Sequence, residues 1–277
     1  LNCLETNVKE NKLNCLETNV KENINIINKF NNCNVSKHPF EHIVIDDFFT
    51  ETFYENLSEE INNIDLSKFN VKHYSNGGKY RNSINIICRL DNISEYKNSK
   101  NYQALIKNNY LHILKIVDFY MENIKNLPNI IVNKIKTNRI KFLSYLHFSI
   151  CKDFNKYFID PHTDSENNVF SQLIYCPPNK NYENKNLGLE LYSKKNDKFD
   201  VEKYIDFKKN RVITFAPNDI SYHGVNCVKD IENTRNSLQI FWMKNKFIEK
   251  PIAFNNIEKS SSNDILKLLD IKKDDKI

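Results

Sequence analysis

Residues 139–151 read RIKFLSYLHFSIC. Alternate side chains of a strand point to opposite faces. Here Ile140, Phe142, Leu146, Phe148 and Ile150 fall on one face, and Tyr145 and His147 on the other. Similar short segments follow: FSQLIYC (170–176), LGLELYS (187–193), NRVITFAP (210–217) and RNSLQIFWM (235–243), with Pro-, Asn- and Lys-rich loops between them. Several strands at this spacing predict an α+β chain whose core is a double-sheet jelly roll with helices outside it.

The helices are expected ahead of the strands. HIVIDDFF, starting at His42, alternates as a strand does, and the folded part is expected to begin near Pro39. Thr52 with Glu55 offers a capping box before Phe53, Leu57 and Ile61 at helical spacing. From Tyr102 to Leu127 one long helix is expected, with Tyr102, Ile106, Ile113, Val117, Met121 and Ile124 on its core face and Pro128 as its stop. Between these helices, YSNGGKYRNSINII (74–87) puts a Gly-Gly turn before a strand, a candidate loop over a pocket.

The ends look different. LNCLETNVKEN at residues 1–11 recurs unchanged as residues 13–23, and two such polar copies are too few for a solenoid. Residues 1–35 are therefore expected to be a poorly ordered tail, dispensable for folding, with the working domain at 36–250. Residues 251–277 are expected to form a linker and a short amphipathic helix around Ile265, Leu266 and Leu269.

Composition narrows the function. A net charge of +5, set by 40 basic and 35 acidic side chains, comes with no Lys/Arg cluster interleaved with stacking aromatics, so no nucleic-acid partner is expected. Seven scattered cysteines without a C-x-x-C pair fit reduced thiols. No apolar run approaches a membrane span and the polar start has no signal-peptide core, so a cytoplasmic protein is expected.

The chemistry centres on YFIDPHTDS (157–165). Residues i and i+2 of a strand share a side, so His162 and Asp164 can offer an imidazole and a carboxylate to one metal ion, or they are two polar residues of a turn. His223, in ISYHGVN, is a third candidate ligand; taken singly it reads as a satisfied loop histidine rather than a ligand, and its position in the chain is what raises it. Two histidines and one carboxylate leave three positions open, as in non-haem Fe(II) oxygenases, whereas zinc favours a tetrahedral site with one. Arg235 shares a strand side with Ser237 and Gln239, opposite Leu238, Ile240 and Trp242. Facing a β core it needs a carboxylate, and a small dicarboxylate would suit its planar fork, with the Ser237 hydroxyl assisting. The structural alternative is a surface Arg paired with a nearby acid.

In the order PHTD, GLELY, RVITFAPNDISYHGVN, RNSLQIFW, these segments resemble the core of the 2-oxoglutarate- and Fe(II)-dependent dioxygenases, prolyl-4-hydroxylase-like branch. HIVIDDFFTETFYENL resembles the strand and helix that open that branch. The resemblance spans roughly residues 40–247. It implies a double-stranded β-helix (jelly-roll, cupin-like) core and iron held by His162, Asp164 and His223. It further implies 2-oxoglutarate held by Arg235 and Ser237, with O2 as co-reactant and ascorbate as a compatible reductant. A tyrosine before the first histidine commonly helps hold the cosubstrate, and Tyr145 and Tyr157 are both candidates, while His147 reads as structural. Leu187 stands where the family often has the first of two glycines. Asp164 favours hydroxylation, because halogenating relatives replace that carboxylate. The implied activity is C–H hydroxylation coupled to decarboxylation of 2-oxoglutarate to succinate, on a peptidyl or small-molecule substrate chosen by loops such as 72–82 and 178–187. The alternative is a non-catalytic, cupin-like metal-containing binding protein.

Overall fold

The computed structural model describes residues 20–244 apart from 74–79, 93, 125, 138–139, 141–142 and 184–185. The Gly-Gly loop and the C-terminal helix expected around Leu266 lie outside the described residues.

The strand-rich half forms two antiparallel sheets. Its strands are β5 (Leu143–Asp153), β6 (Ile159–His162), β7 (Asn168–Tyr175), β8 (Leu189–Lys195), β9 (Lys198–Ile205), β10 (Val212–Phe215), β11 (His223–Val225) and β12 (Arg235–Lys244). The N-terminal half adds β1 (Val35–Ser36), β2 (His42–Ile45), β3 (Val71–His73) and β4 (Arg81–Arg89). The larger sheet runs β1-β2-β10-β7-β12-β5-β4-β3 and the smaller β6-β11-β8-β9. From β5 onward the chain passes back and forth between the two layers at each step except the β8–β9 hairpin, as in a jelly roll. Strand β9, KFDVEKYI, lacks a clean apolar alternation because it forms an edge with Phe199 and Val201 exposed, and the sequence pattern does not reveal it.

Two cores result, one on each face of the larger sheet. Leu146, Phe148, Ile150, Leu238, Ile240 and Trp242 point toward the helices. Leu173, Tyr175, Ile213 and Phe215 point the other way and meet Leu189, Leu191, Ile205 and Val225 of the smaller sheet. The expected facing of β12 follows: Leu238, Ile240 and Trp242 lie on the helical side, leaving Arg235 and Ser237 toward the smaller sheet.

The helices are α2 (Glu51–Asn63), α3 (Lys100–Lys107), α4 (Leu111–Glu122) and α5 (Leu127–Lys134), preceded by helical residues 20–32, here α1. The single helix expected over Tyr102–Leu127 is broken. Asn109 adopts φ 61°, a left-handed conformation that Asn tolerates better than most residues, and the chain turns between α3 and α4. Ile106, expected in the core, is consequently 50 % exposed. Pro128 does not stop a helix; it stands in the first turn of α5, where a missing N–H costs nothing.

The folded part also begins earlier than Pro39. Within α1, Ile26 and Phe30 are buried, and Phe30 packs edge-on against Phe48 with ring centroids 5.2 Å apart. Helix α2 is capped at Thr50 rather than Thr52, and by a distant residue. The Glu22 carboxylate accepts from the Thr50 backbone N–H at 3.1 Å and from its hydroxyl at 2.5 Å. Residues 20–35 therefore belong to the domain. Among the described residues no helix is long and apolar enough to cross a membrane.

Candidate metal centre and anion pocket

His162 ends β6 and His223 begins β11, and the two are cross-strand partners in the smaller sheet. Their rings lie 4.5 Å apart between centroids. Asp164, just past the end of β6, turns its carboxylate toward both: Oδ1 is 3.8 Å from His162 Nε2 and 3.7 Å from His223 Nε2. Gly224 is needed beside this pair, because a Cβ there would stand 2.6 Å from the Ile159 carbonyl oxygen on the neighbouring strand. Phe215 walls the other side, its ring centroid 4.8 Å from that of His223.

The hydrogen bonds around the three side chains fix which atoms face inward. Nδ1–H of His162 donates to the Asp160 carbonyl and Nδ1–H of His223 to the Ser221 carbonyl, each at 2.9 Å. A carbonyl only accepts, so in the neutral rings both protons sit on Nδ1 and both Nε2 atoms carry bare lone pairs. Asp164 Oδ2 accepts from the Ser171 hydroxyl at 2.5 Å, leaving Oδ1 toward the imidazoles. Three electron-rich atoms thus face one another at separations too long for hydrogen bonds. A cation between them turns that repulsion into coordination, and imidazole plus carboxylate suits Fe(II). Burial pulls the His223 imidazole below its usual range, with Asp164 opposing, which favours the neutral, ligating form. His223 is 8 % exposed and Asp164 16 %, against 38 % for His162, so the centre opens on the His162 side.

A second polar site sits on the larger sheet. Arg235 of β12 is the cross-strand partner of Asp153 on β5, itself the partner of Arg81 on β4. Arg235, fully buried, donates through Nη1 to Asp153 Oδ2 at 2.6 Å and through Nε to the Leu187 carbonyl at 2.5 Å. Arg81 donates through Nε and Nη2 to the two oxygens of the same carboxylate, at 2.5 and 3.0 Å. Two guanidiniums against one carboxylate leave a surplus of one positive charge. Nearby acids do not offset it: burial pushes Tyr175 up to about 12 and also raises Tyr157 and the Cys151 thiol.

Around this surplus, four buried polar atoms have no hydrogen-bond partner: Arg235 Nη2, Ser237 Oγ, Tyr157 Oη and Tyr175 Oη. Ser237 is opposite Tyr175 across β12 and β7, and the Arg235 guanidinium lies 5.4 Å above the Tyr175 ring. Buried donors left unpaired are costly and rare in native proteins. Beside a surplus positive charge they fit an anion that accepts several hydrogen bonds, and a carboxylate does so.

Of the residues singled out in the sequence, His162, Asp164 and His223 come together, as do Arg235, Ser237 and Tyr157. Tyr145 does not join them. It pairs with Met243 and Arg89 at the opposite end of β5 from Asp153, roughly 25 Å away at the rise of a strand. His147 lies on the same stretch, 3.1 Å from Asn85 Oδ1. Arg81, Asp153 and Tyr175 were not foreseen. The one sequence signal for Asp153 is its place, beside Lys152, where charged residues end the alternating strand LHFSICKD. A cavity of about 780 Å³ lies beyond the other face of the larger sheet, lined by residues including Tyr54, Asn62, Lys152 and Asn236, and contains none of these groups.

No family model matches the chain, and no curated protein matches it. Among solved structures the chain is similar to a prolyl-4-hydroxylase from Pseudomonas putida, at 11 % identity and a TM-score of 0.47 over 79 % of this chain and 97 % of that one. A prolyl hydroxylase in complex with a hypoxia inducible factor peptide fragment, from Trichoplax adhaerens, is similar at 14 % identity and 0.46, covering 83 % and 92 %. The dioxygenase for auxin oxidation 1 from Arabidopsis thaliana is similar at 12 % identity and 0.44, covering 82 % and 90 %. TM-scores below 0.5 at such identities leave the chemistry to the residues of the site itself.

Proposed function

We propose that the protein is an Fe(II)- and 2-oxoglutarate-dependent dioxygenase built on a double-stranded β-helix, which hydroxylates an unactivated C–H bond. The observation that carries this reading is the pairing, within one domain, of two bare imidazole Nε2 atoms and a carboxylate oxygen facing one another with a buried, positively charged pocket of unpartnered donors. His162, Asp164 and His223 would hold the iron, and Arg235, Ser237, Tyr157 and Tyr175 one carboxylate of 2-oxoglutarate. With O2, the bound groups would supply oxidative decarboxylation to succinate and CO2 coupled to hydroxylation of the substrate.

The chain's own part is orientation and exclusion of water. The Asp160 and Ser221 carbonyls hold the two imidazoles in the ligating tautomer, and Ser171 holds Asp164 with one oxygen inward. The apolar cluster of Phe40, Phe207, Phe215, Leu191 and Val225 keeps the space between the sheets dry, which strengthens every charge interaction inside it. The substrate is peptidyl or a small molecule.

One observation favours a second reading, a metal-containing binding protein of the cupin kind without turnover: Arg235 already has a carboxylate partner in Asp153. Incubation with Fe(II), 2-oxoglutarate and O2 separates the two. Succinate formation that disappears in His162→Ala supports the oxygenase. Metal binding with neither 2-oxoglutarate binding nor succinate supports the binding protein.

A further inference from the structure

Asp153 stands between two guanidiniums and does not treat them alike. Arg81 takes both of its oxygens, in the parallel two-bond fork that suits a planar carboxylate, while Arg235 takes one bond to Oδ2. Arg81 is held in that position by the Tyr157 ring, whose centroid lies 4.4 Å from the guanidinium carbon. Its side chain is 11 % exposed, whereas Asp153 and Arg235 have no exposure. Asp153 is, among the described residues, the one carboxylate that pairs with either guanidinium. The outcome is an Arg235 that is fixed by Nε and Nη1 yet keeps Nη2 without a partner.

We propose that Arg81 is a positioning residue for the cosubstrate: by engaging both oxygens of Asp153 it keeps that carboxylate from closing a two-bond pair with Arg235, and so preserves the free Nη2 and the surplus charge that draw an incoming carboxylate. This rests on the oxygenase reading above. Without Arg81 the pocket holds one guanidinium and one carboxylate, which neutralise each other, and a second carboxylate entering it meets no net attraction. Without both Arg81 and Asp153 the single charge of Arg235 is again uncompensated, and attraction returns.

The test is calorimetric titration of 2-oxoglutarate into the full chain loaded with Mn(II) in place of Fe(II), so that binding is read without turnover. Arg81→Gln leaves an amide against Asp153 and is expected to bind 2-oxoglutarate at least about tenfold more weakly than the parent, with Mn(II) affinity unchanged. The double variant R81Q/D153N is expected to return to within about threefold of the parent. Equal affinity in R81Q and the parent, or a double variant no tighter than R81Q, overturns the proposal. Should R81Q not fold, D153N decides: it is expected to bind at least as tightly as the parent, because the surplus rises from one charge to two, and weaker binding overturns the proposal. A parent that binds Mn(II) but no 2-oxoglutarate sinks the oxygenase reading itself, whereas a parent that binds both, beside an unaffected R81Q, removes only the role of Arg81.

Discussion

The Ser171 hydroxyl donates to Asp164 Oδ2 at 2.5 Å while accepting from the Asn168 amide at 3.2 Å, so one buried hydroxyl decides which oxygen of Asp164 faces the two imidazoles. Such outer-shell partners orient metal ligands and are worth about 10–100-fold in affinity. Ser171→Ala removes the bond and adds no bulk, so the fold should stay intact while affinity for Fe(II) or Mn(II) falls by that order. Metal titration followed by calorimetry checks it. Unchanged affinity would mean that Asp164 is held by something other than Ser171.

Arg235→Lys keeps the charge and loses the fork. A lysine cannot serve the Leu187 carbonyl and the Asp153 carboxylate in the same geometry and still leave a donor free. Weaker 2-oxoglutarate binding with unchanged metal affinity is the expected result. Because Arg235 is fully buried, stability should drop too, by about 1.5–3 kcal/mol, the range for charged hydrogen bonds. Denaturant unfolding and cosubstrate titration on the same variant separate the two effects.

The cluster of His162, Asp164 and His223 was legible in the sequence because its parts obey local rules. His162 and Asp164 are two residues apart at a strand end, and His223 precedes a glycine that allows close strand approach. Arg235 and Ser237 were legible for the same reason, since alternation along β12 assigns their face. Their surroundings were not. Arg81, Asp153 and Tyr175 lie far apart in the chain and meet only through cross-strand register, which a single sequence does not encode locally. Tyr145 was misplaced by the converse error: it resembles a cosubstrate tyrosine by order along the chain, yet eight residues of extended strand separate it from Asp153. In the helices the apolar period ran unbroken through Asn108–Tyr110, and the left-handed turn at Asn109 overrode it.

His147 should be an identifiable source of acid sensitivity outside the candidate metal site. Burial, helped by the charge of Lys72, holds His147 down to about 4, against about 6.5 for a free histidine. The unfolded chain therefore takes up a proton as pH falls below about 6.5, and the folded protein does not until about 4. Its stabilising contribution is complete above 6.5 and lost across that window, on the order of 1–2 kcal/mol after allowing for partial exposure. His147→Gln keeps a polar group toward Asn85 and removes the titration. Urea unfolding at pH 7 and pH 4.5 should show a smaller loss for the variant than for the parent, and identical losses would exclude His147 as a contributor.

The duplicated segment sets the last test, where the structure reverses the expectation drawn from sequence. A chain starting at Ser36 was expected to fold, yet it would lack all of α1. That removes Phe30 from its packing on Phe48, Ile26 from the helical core, and the Glu22 carboxylate that accepts three donors, from the Thr50 backbone, the Thr50 hydroxyl and the Asn25 amide. Burying one Phe and one Ile is worth about 1.5–3 kcal/mol each, and the lost cap about 1 more. The sum, about 4–7 kcal/mol, reaches the lower part of the margin of a typical domain, about 5–15 kcal/mol. Deletion of residues 1–35 should therefore lower the unfolding midpoint sharply or leave the chain insoluble. Deletion of residues 1–12 removes the first copy of the repeat and keeps the second, with Glu22, Ile26 and Phe30 in place. That chain should unfold at the parent's denaturant midpoint. A stable chain beginning at Ser36 would show that the contacts of Phe30 and Glu22 add nothing to the fold.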